Sequence, residues 1–180
     1  MINAAVLGSP ISHSLSPRLH MSAYKFLNIS GHYGSFDVPA GSLNEFLSDK
    51  SNGWTGFSLT MPLKEEVLSI AEVIDPLVNR IQSGNTLVRK NDSWSLHSTD
   101  VLGFQNAWNL ENSSKPKSVL IVGSGATARA AAAAFDQFHA QMAGGARAGR
   151  AVVERAGVRF RVGDEFLDAG HLHGSRDRRA

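Results

Sequence analysis

The sequence changes its period abruptly at one place. Gly56-Phe57-Ser58-Leu59 has the alternation of a short buried strand, and Thr60-Met61-Pro62-Leu63-Lys64 cuts it off. Glu65-Glu66-Val67-Leu68-Ser69-Ile70 then takes up helical spacing. Pro62 has no N–H to give a ladder, so the strand cannot run on through it. A chain that makes this switch again and again can bury its apolar faces only by laying helices on a sheet, which fixes an α/β class. It also leaves Lys64 near the carboxyl end of a strand, where such folds assemble their chemistry.

The switch does recur. Asn3 to Leu7 reads as a strand and Pro17 to Leu27 as a helix whose Leu19, Ala23, Phe26 and Leu27 share one side. Tyr33 to Val38 is a second strand, Ser42 to Leu47 a helix capped by Ser42, and Trp54 to Leu59 the third strand. The helix after Lys64 carries Val67, Leu68 and Ala71 and yields before Pro76. Leu77, Val78 and Ile81 suit a short helix that delivers Gly84-Asn85 back to the strand ends. Thr86 to Arg89 and Trp94 to His97 bracket the turn Lys90-Asn91-Asp92-Ser93, so the sheet is mostly parallel but mixed at this hairpin. Helices should cover both of its faces. A helix from Thr99 or Asp100 to about Leu110 follows, with Phe104 and Trp108 spaced for packing between domains.

Three polar clusters sit at strand ends. Gly8-Ser9-Pro10-Ile11-Ser12-His13-Ser14-Leu15-Ser16-Pro17 gathers hydroxyls and one imidazole in a strand-to-helix turn, with Ser12 and Ser14 able to face one ligand and Ser16-Pro17 suited to start the helix. Leu96-His97-Ser98-Thr99-Asp100 ends the hairpin, and the expectation is that Lys64 and Asp100 meet across one cleft. Ser118 to Val122 then feeds Gly123-Ser124-Gly125-Ala126-Thr127-Ala128-Arg129. In that turn Gly123 permits the bend, Gly125 admits a pyrophosphate near the helix amides, Ala128 lets helix and sheet approach, and Arg129 could either approach phosphate or point outward as a surface arginine.

Composition narrows the class without choosing a function. The 180 residues are 42% apolar and contain no cysteine, which removes disulfides and thiolate chemistry. No signal peptide or spanning segment is visible, so cytoplasm is the default compartment, and the seven histidines lack metal-ligand spacing. From His139 onward there are eight arginines, no lysine and five acids. Such a tail would suit nucleic acid, but it lacks aromatic interleaving, a recognition helix and a zinc pattern, which argues against that partner.

Five segments, Gly8 to His20, Ser58 to Lys64, Gly84 to Val88, Ser98 to Asp100 with Gly103-Phe104, and Val122 to Ala130, follow the order and approximate spacing of shikimate dehydrogenase. The chain resembles that family over about residues 1–138. The resemblance implies a three-layer substrate domain at 1–110, a linker at 111–117, the opening of a Rossmann-like NADP domain at 118–138, and an atypical segment at 139–180. It implies that Ser12 and Ser14 bind the carboxylate of shikimate or 3-dehydroshikimate, that Thr60 and Asn85 orient its hydroxyls, and that Lys64 and Asp100 surround the reacting oxygen. Gly123, Ser124, Gly125, Ala126, Thr127, Ala128 and Arg129 would hold NADP.

Ser58 and Ser98 depart from a common family form by replacing asparagine, which shortens their reach. His139 to Arg150 is a poor strand where the dinucleotide fold needs one, although Arg147 and Arg150 lean towards NADP over NAD. Ala151 to Ala156 and Val158 to Val162 suggest a helical turn and a strand, and Gly163 to Ala180 reads as surface or disorder. A short homologue, a truncated product and a change of reading frame after about Phe138 all fit this segment. The alanine-rich helix would lack covering sheet and leave a surface for a homodimer. The chain alone should reduce 3-dehydroshikimate poorly, and a noncatalytic shikimate-binding or regulatory domain and a quinate substrate stay open.

Overall fold

The computed structural model describes residues 1–50, 53–91, 93–111, 119–135, 140–143, 159–162 and 165–168. They fall into two compact units, Met1–Thr99 and Asp100–Ala180. The linker expected at 111–117 lies, apart from Glu111, outside the described residues.

In the first unit β1 (Ile2–Gly8), β2 (Gly31–Asp37), β3 (Gly56–Leu59), β4 (Val73–Ile74), β5 (Thr86–Lys90) and β6 (Ser93–His97) form a six-stranded sheet in the order β2-β1-β3-β5-β6-β4. β1 pairs in parallel with β2 and β3, and β6 with β4, while β5 is antiparallel to both of its neighbours. The expected mixed, mostly parallel α/β sheet is therefore present. Its core lies on one face, where Ala5, Leu7, Phe57, Leu59, Leu87 and Leu96 pack with Leu43 and Leu47 of α2 (Leu43–Lys50), Leu63 of α3 (Leu63–Glu66) and Val78 of α4 (Pro76–Ile81). A smaller cluster of Ala4, Val6, Ile11 and Tyr33 lies on the other face, with Tyr24 of α1 (Ser16–Phe26) packed against it. The alternation along β1, which sends Ala4 and Val6 one way and Ala5 and Leu7 the other, is what makes the sheet two-sided.

Local details depart from the sequence reading. The apolar stripe of α1 faces outward, with Leu19, Phe26 and Leu27 exposed to 66%, 89% and 60%, and the helix has no fully buried residue. The half-buried side is instead Ser16, Pro17, His20 and Tyr24. His20 stacks flat on Tyr33, with centroids 3.9 Å apart and planes 7° apart, so an aromatic contact and not the apolar stripe meets the sheet. Ser16 is the first residue of the helix and makes no side-chain cap; the Ser14 hydroxyl accepts its amide at 3.3 Å. The start of α2 is likewise held from elsewhere, since Gly41 N–H and Leu43 N–H donate to Glu66 Oε2 and Oε1 at 2.9 and 3.0 Å. The helix after Lys64 is shorter than expected: α3 passes into a 3-10 turn at Val67–Ser69 and the chain then makes β4.

In the second unit α5 (Asp100–Glu111) precedes β7 (Val119–Val122) and α6 (Ala126–Ala134), and β8 (Ala140–Ala143) pairs in parallel with β7. This β-α-β passage corrects the reading of His139 to Arg150 as a poor strand. Backbone pairing with β7, from Val119↔Ala140 to Val122↔Ala143, overrides a weak local propensity. β9 (Arg159–Val162) and β10 (Glu165–Asp168) form an antiparallel pair, so part of the segment expected to lack structure is a strand. The alanine-rich helix is not left uncovered, because Ala130, Ala131 and Ala134 are buried. α5 reaches it through Gln105 Nε2, which donates to Ala134 O at 3.2 Å, and through Trp108, whose ring meets Phe135 edge-on at 5.9 Å. Among the described residues no helix is long and apolar enough to cross a membrane, and no three His, Cys, Asp or Glu gather to hold a metal.

Candidate functional site

Strand direction decides which residues can meet. β1, β3 and β6 run the same way and bring their carboxyl ends to one edge of the sheet, while the reversed β5 presents its amino end there. The serine turn follows β1, Thr60 and Lys64 follow β3, Asn85 precedes β5, and Thr99 follows β6. All of these expected residues are thus at one edge of the first unit.

Backbone bonds sew these turns together. Thr60 N–H donates to Leu7 O at 2.9 Å and Ser9 N–H to Met61 O at 3.0 Å. Gly8 makes that approach feasible, because a Cβ there would stand 2.4 Å from Thr60 Cγ2 and 2.8 Å from Met61 O. Gly84 N–H donates to Lys64 O at 2.9 Å, and Leu59 N–H to Asn85 O at 2.8 Å. Asn85 then clamps the end of β6: its Oδ1 accepts Thr99 N–H at 3.0 Å and its Nδ2 donates to Thr99 Oγ1 at 2.9 Å. Thr86 Oγ1 adds a third bond to Asn85 Oδ1 at 2.8 Å, which fixes the amide orientation.

Ser12 is exposed, and Ser14, Thr60, Lys64 and Asn85 are half-buried. Asp100 opens α5 and is the first residue of the second unit, joined by one peptide bond to the clamped Thr99. Ser98, one of the two serines standing for asparagine, has a buried Oγ with no hydrogen-bond partner among the described residues, in keeping with its shorter reach. The other, Ser58, accepts a hydrogen bond from Tyr33 Oη at 2.6 Å. Sequence reasoning missed Tyr33 and the clamping role of Thr99; an aromatic residue inside a strand gives no signal of a polar role, whereas Thr99 stood beside a residue already singled out.

Tyr33 is buried, and loss of solvation pushes its phenol above the usual 10.0, with the Ser58 bond working in the opposite sense. The neutral phenol is therefore favoured in the folded state. Its contribution is intact below pH 10 and is lost as pH rises through the higher folded value. Alkaline titration of stability should accordingly fall less steeply for Tyr33→Phe than for the parent chain, as followed by circular dichroism.

In the second unit Gly123 has φ +126°, a backbone conformation that favours glycine, and a Cβ at Gly125 would meet nothing within 4 Å. Gly125 leads into α6 as its N-cap, so the loop with Ser124, Ala126, Thr127 and Ala128 turns open backbone towards the helix amino end. Arg129 Nη1 donates to Ser124 O at 3.2 Å and its N–H to Gly125 O at 3.1 Å. These residues fit a dinucleotide phosphate bridge. Arg147 and Arg150 lie outside the described residues.

Comparison with known proteins agrees with this geometry. Residues 6–87 match the shikimate dehydrogenase substrate binding domain. The chain is 37% identical to a shikimate dehydrogenase (NADP(+)) of Ignicoccus hospitalis over 133 residues, 73% of this chain and 50% of that protein. It is 39% identical to one of Bacillus cereus over 130 residues, 69% of this chain and 46% of that protein. The crystal structure of shikimate 5-dehydrogenase from Thermus thermophilus, in complex with NADP(H) and shikimate, superposes with a TM-score of 0.74 at 32% identity, covering 80% of this chain and 55% of that one. The chain spans about half the length of the curated relatives it matches. The sheet edge described above is thus part of a known architecture, and residues 6–87 belong to the shikimate dehydrogenase substrate binding domain family.

Proposed function

We propose that the chain binds shikimate and 3-dehydroshikimate at this sheet edge and serves their NADP-linked interconversion. The observation that carries the reading is the stitching of the Gly8 to Ser14 turn, the Thr60 to Lys64 turn and Asn85-Thr99 into one polar rim. Ser12 and Ser14 hold the carboxylate. Ser14 already accepts the Ser16 amide, which leaves its own proton to donate. Thr60 and Asn85 orient the ring hydroxyls.

NADPH, when held at Gly123 to Arg129, supplies the hydride that turns the ketone into an alcohol. Lys64 stabilises and protonates the oxygen on which negative charge develops, and Asp100 orients the lysine and the hydroxyl. In the oxidative direction a neutral Lys64 accepts the alcohol proton. Support for the pairing comes from the chain path: Lys64 is bonded through its carbonyl to Gly84, and the neighbouring Asn85 holds Thr99, one residue before Asp100.

Calorimetric titration with shikimate tests the proposal. Binding should be measurable, and Ser14→Ala should weaken it about tenfold, the cost of one hydrogen bond to a charged group. Absence of shikimate binding by the parent chain would remove the reading. Shikimate binding without NADP binding would favour a noncatalytic shikimate-binding domain.

A further inference from the structure

Tyr33 stands on β2, and Ser58 on β3, with β1 running between them. Their register partners on β1 are Ala4 and Val6 respectively. The Tyr33 side chain packs with Ala4 and Val6 on the α1 face of the sheet and carries its hydroxyl across β1 to within 2.6 Å of Ser58 Oγ. Only 4% of Tyr33 is exposed. His20 lies flat on its ring, and Nδ1 of that imidazole meets the carbonyl of Ser16 at 2.9 Å. A carbonyl only accepts, so Nδ1 carries the proton.

The polarity of these bonds matters more than their number. A phenol is a stronger acid than an aliphatic alcohol, so Tyr33 donates and Ser58 accepts. That occupies the acceptor side of Ser58 and leaves its own O–H to be given to something else. Ser14 is prepared in the same sense by the Ser16 amide, which can only donate. Ser58 is the last residue but one of β3, directly before Leu59 and the Thr60 to Lys64 turn of the rim. It is also in register with Thr86, whose hydroxyl is bonded to Asn85. Ser58 is half-buried, with one proton to offer towards the rim.

We propose that Tyr33 is a positioning residue for the substrate, acting through Ser58, whose hydroxyl it holds as a donor to an oxygen of a small hydroxylated carboxylate. The proposal rests on the reading that this rim binds shikimate. Tyr33 itself does not touch the ligand. It fixes the rotamer and proton direction of a short side chain that would otherwise be as ready to accept as to donate, and thereby adds selectivity for a ligand presenting a lone pair at that point. The serine, shorter than asparagine, then has one defined role.

Shikimate titration of Tyr33→Phe, Ser58→Ala and the double variant tests this. Tyr33→Phe keeps the ring and its stacking and should weaken shikimate binding about 3- to 10-fold, the worth of one neutral hydrogen bond. Ser58→Ala should weaken it at least as much, and the double variant should match Ser58→Ala alone, because Tyr33 has no other route to the ligand. Tyr24→Phe is the control and should bind as the parent does. Unchanged binding in either Tyr33→Phe or Ser58→Ala, or losses that multiply in the double variant, would overturn the proposal while leaving the shikimate reading intact. A parent chain that does not bind shikimate would overturn both.

Discussion

Gly84→Ala should lower the free energy of unfolding by about 1 to 3 kcal/mol, the range for forcing a methyl into a packed core. A Cβ built at Gly84 would lie 2.4, 2.5 and 2.7 Å from Cδ1, Cγ and Cδ2 of Leu96. Ordinary carbon contacts need about 3.5 to 4.0 Å. Leu96 has no exposed surface and belongs to the main core cluster, so it cannot swing clear. Leu96→Ala alone should cost about 2 to 5 kcal/mol through the cavity it leaves. Combined, the two changes should cost less than their sum by about 1 kcal/mol, since the new methyl enters the space the old side chain vacates. Urea unfolding of the single and double variants measures the coupling, and strict additivity would show that the contact is not the cause. Binding should suffer too, because Gly84 N–H holds the Lys64 carbonyl and the next residue clamps Thr99.

Removing the Glu66 carboxylate is expected to destabilise the chain by about 2 kcal/mol, the upper end for losing a helix cap and within the range for charge-assisted bonds. Both oxygens are engaged at the start of α2, one with Gly41 N–H and one with Leu43 N–H. Leu43, the first residue of that helix, has no exposed surface, so its amide has no easy recourse to water. Glu66→Gln keeps one acceptor oxygen and should lose roughly half as much as Glu66→Ala. Because Glu66 ends the short helix that carries Lys64, Glu66→Ala should also weaken shikimate binding more than an exposed change such as Glu65→Ala. Equal stability of Glu66→Ala and the parent in urea would dismiss the cap.

What the sequence disclosed and what it withheld divide along physical lines. Strands β1, β2 and β3, the hairpin of β5 and β6, and the glycine turn into α6 were legible because each is announced by local chemistry: alternation, a turn tetrapeptide, or a glycine pair after an apolar run. The serine turn, Lys64 and Asn85 were legible as positions at strand ends, and strand direction then brought them to one edge. The Glu66 cap was not legible, since donor and acceptor are 23 residues apart from Leu43 to Glu66 and Ser42 offered a plausible local alternative. β8 was hidden because its stability comes from the ladder with β7 rather than from Ala140 to Ala143 themselves. The inward side of α1 was misjudged for a related reason. Spacing identifies an apolar stripe, but only the stack of His20 on Tyr33 reveals which stripe meets the sheet.

That inverted helix has a consequence for how the molecule can come apart. The large core sits on the face of the sheet served by α2, α3 and α4, while α1 holds to the opposite face without one fully buried residue of its own. The free energy of a local opening grows with the apolar surface it exposes to water, so α1 can lift at far smaller cost than global unfolding. Such an opening separates His20 from Tyr33 and Ser16 from Ser14 together, yet leaves Phe57, Leu59, Leu87 and Leu96 packed. On that count the amides of α1 should exchange with solvent sooner than those of the strands that carry the main core, and a ligand that engages the serine turn should slow that exchange while adding little to the scaffold beneath it.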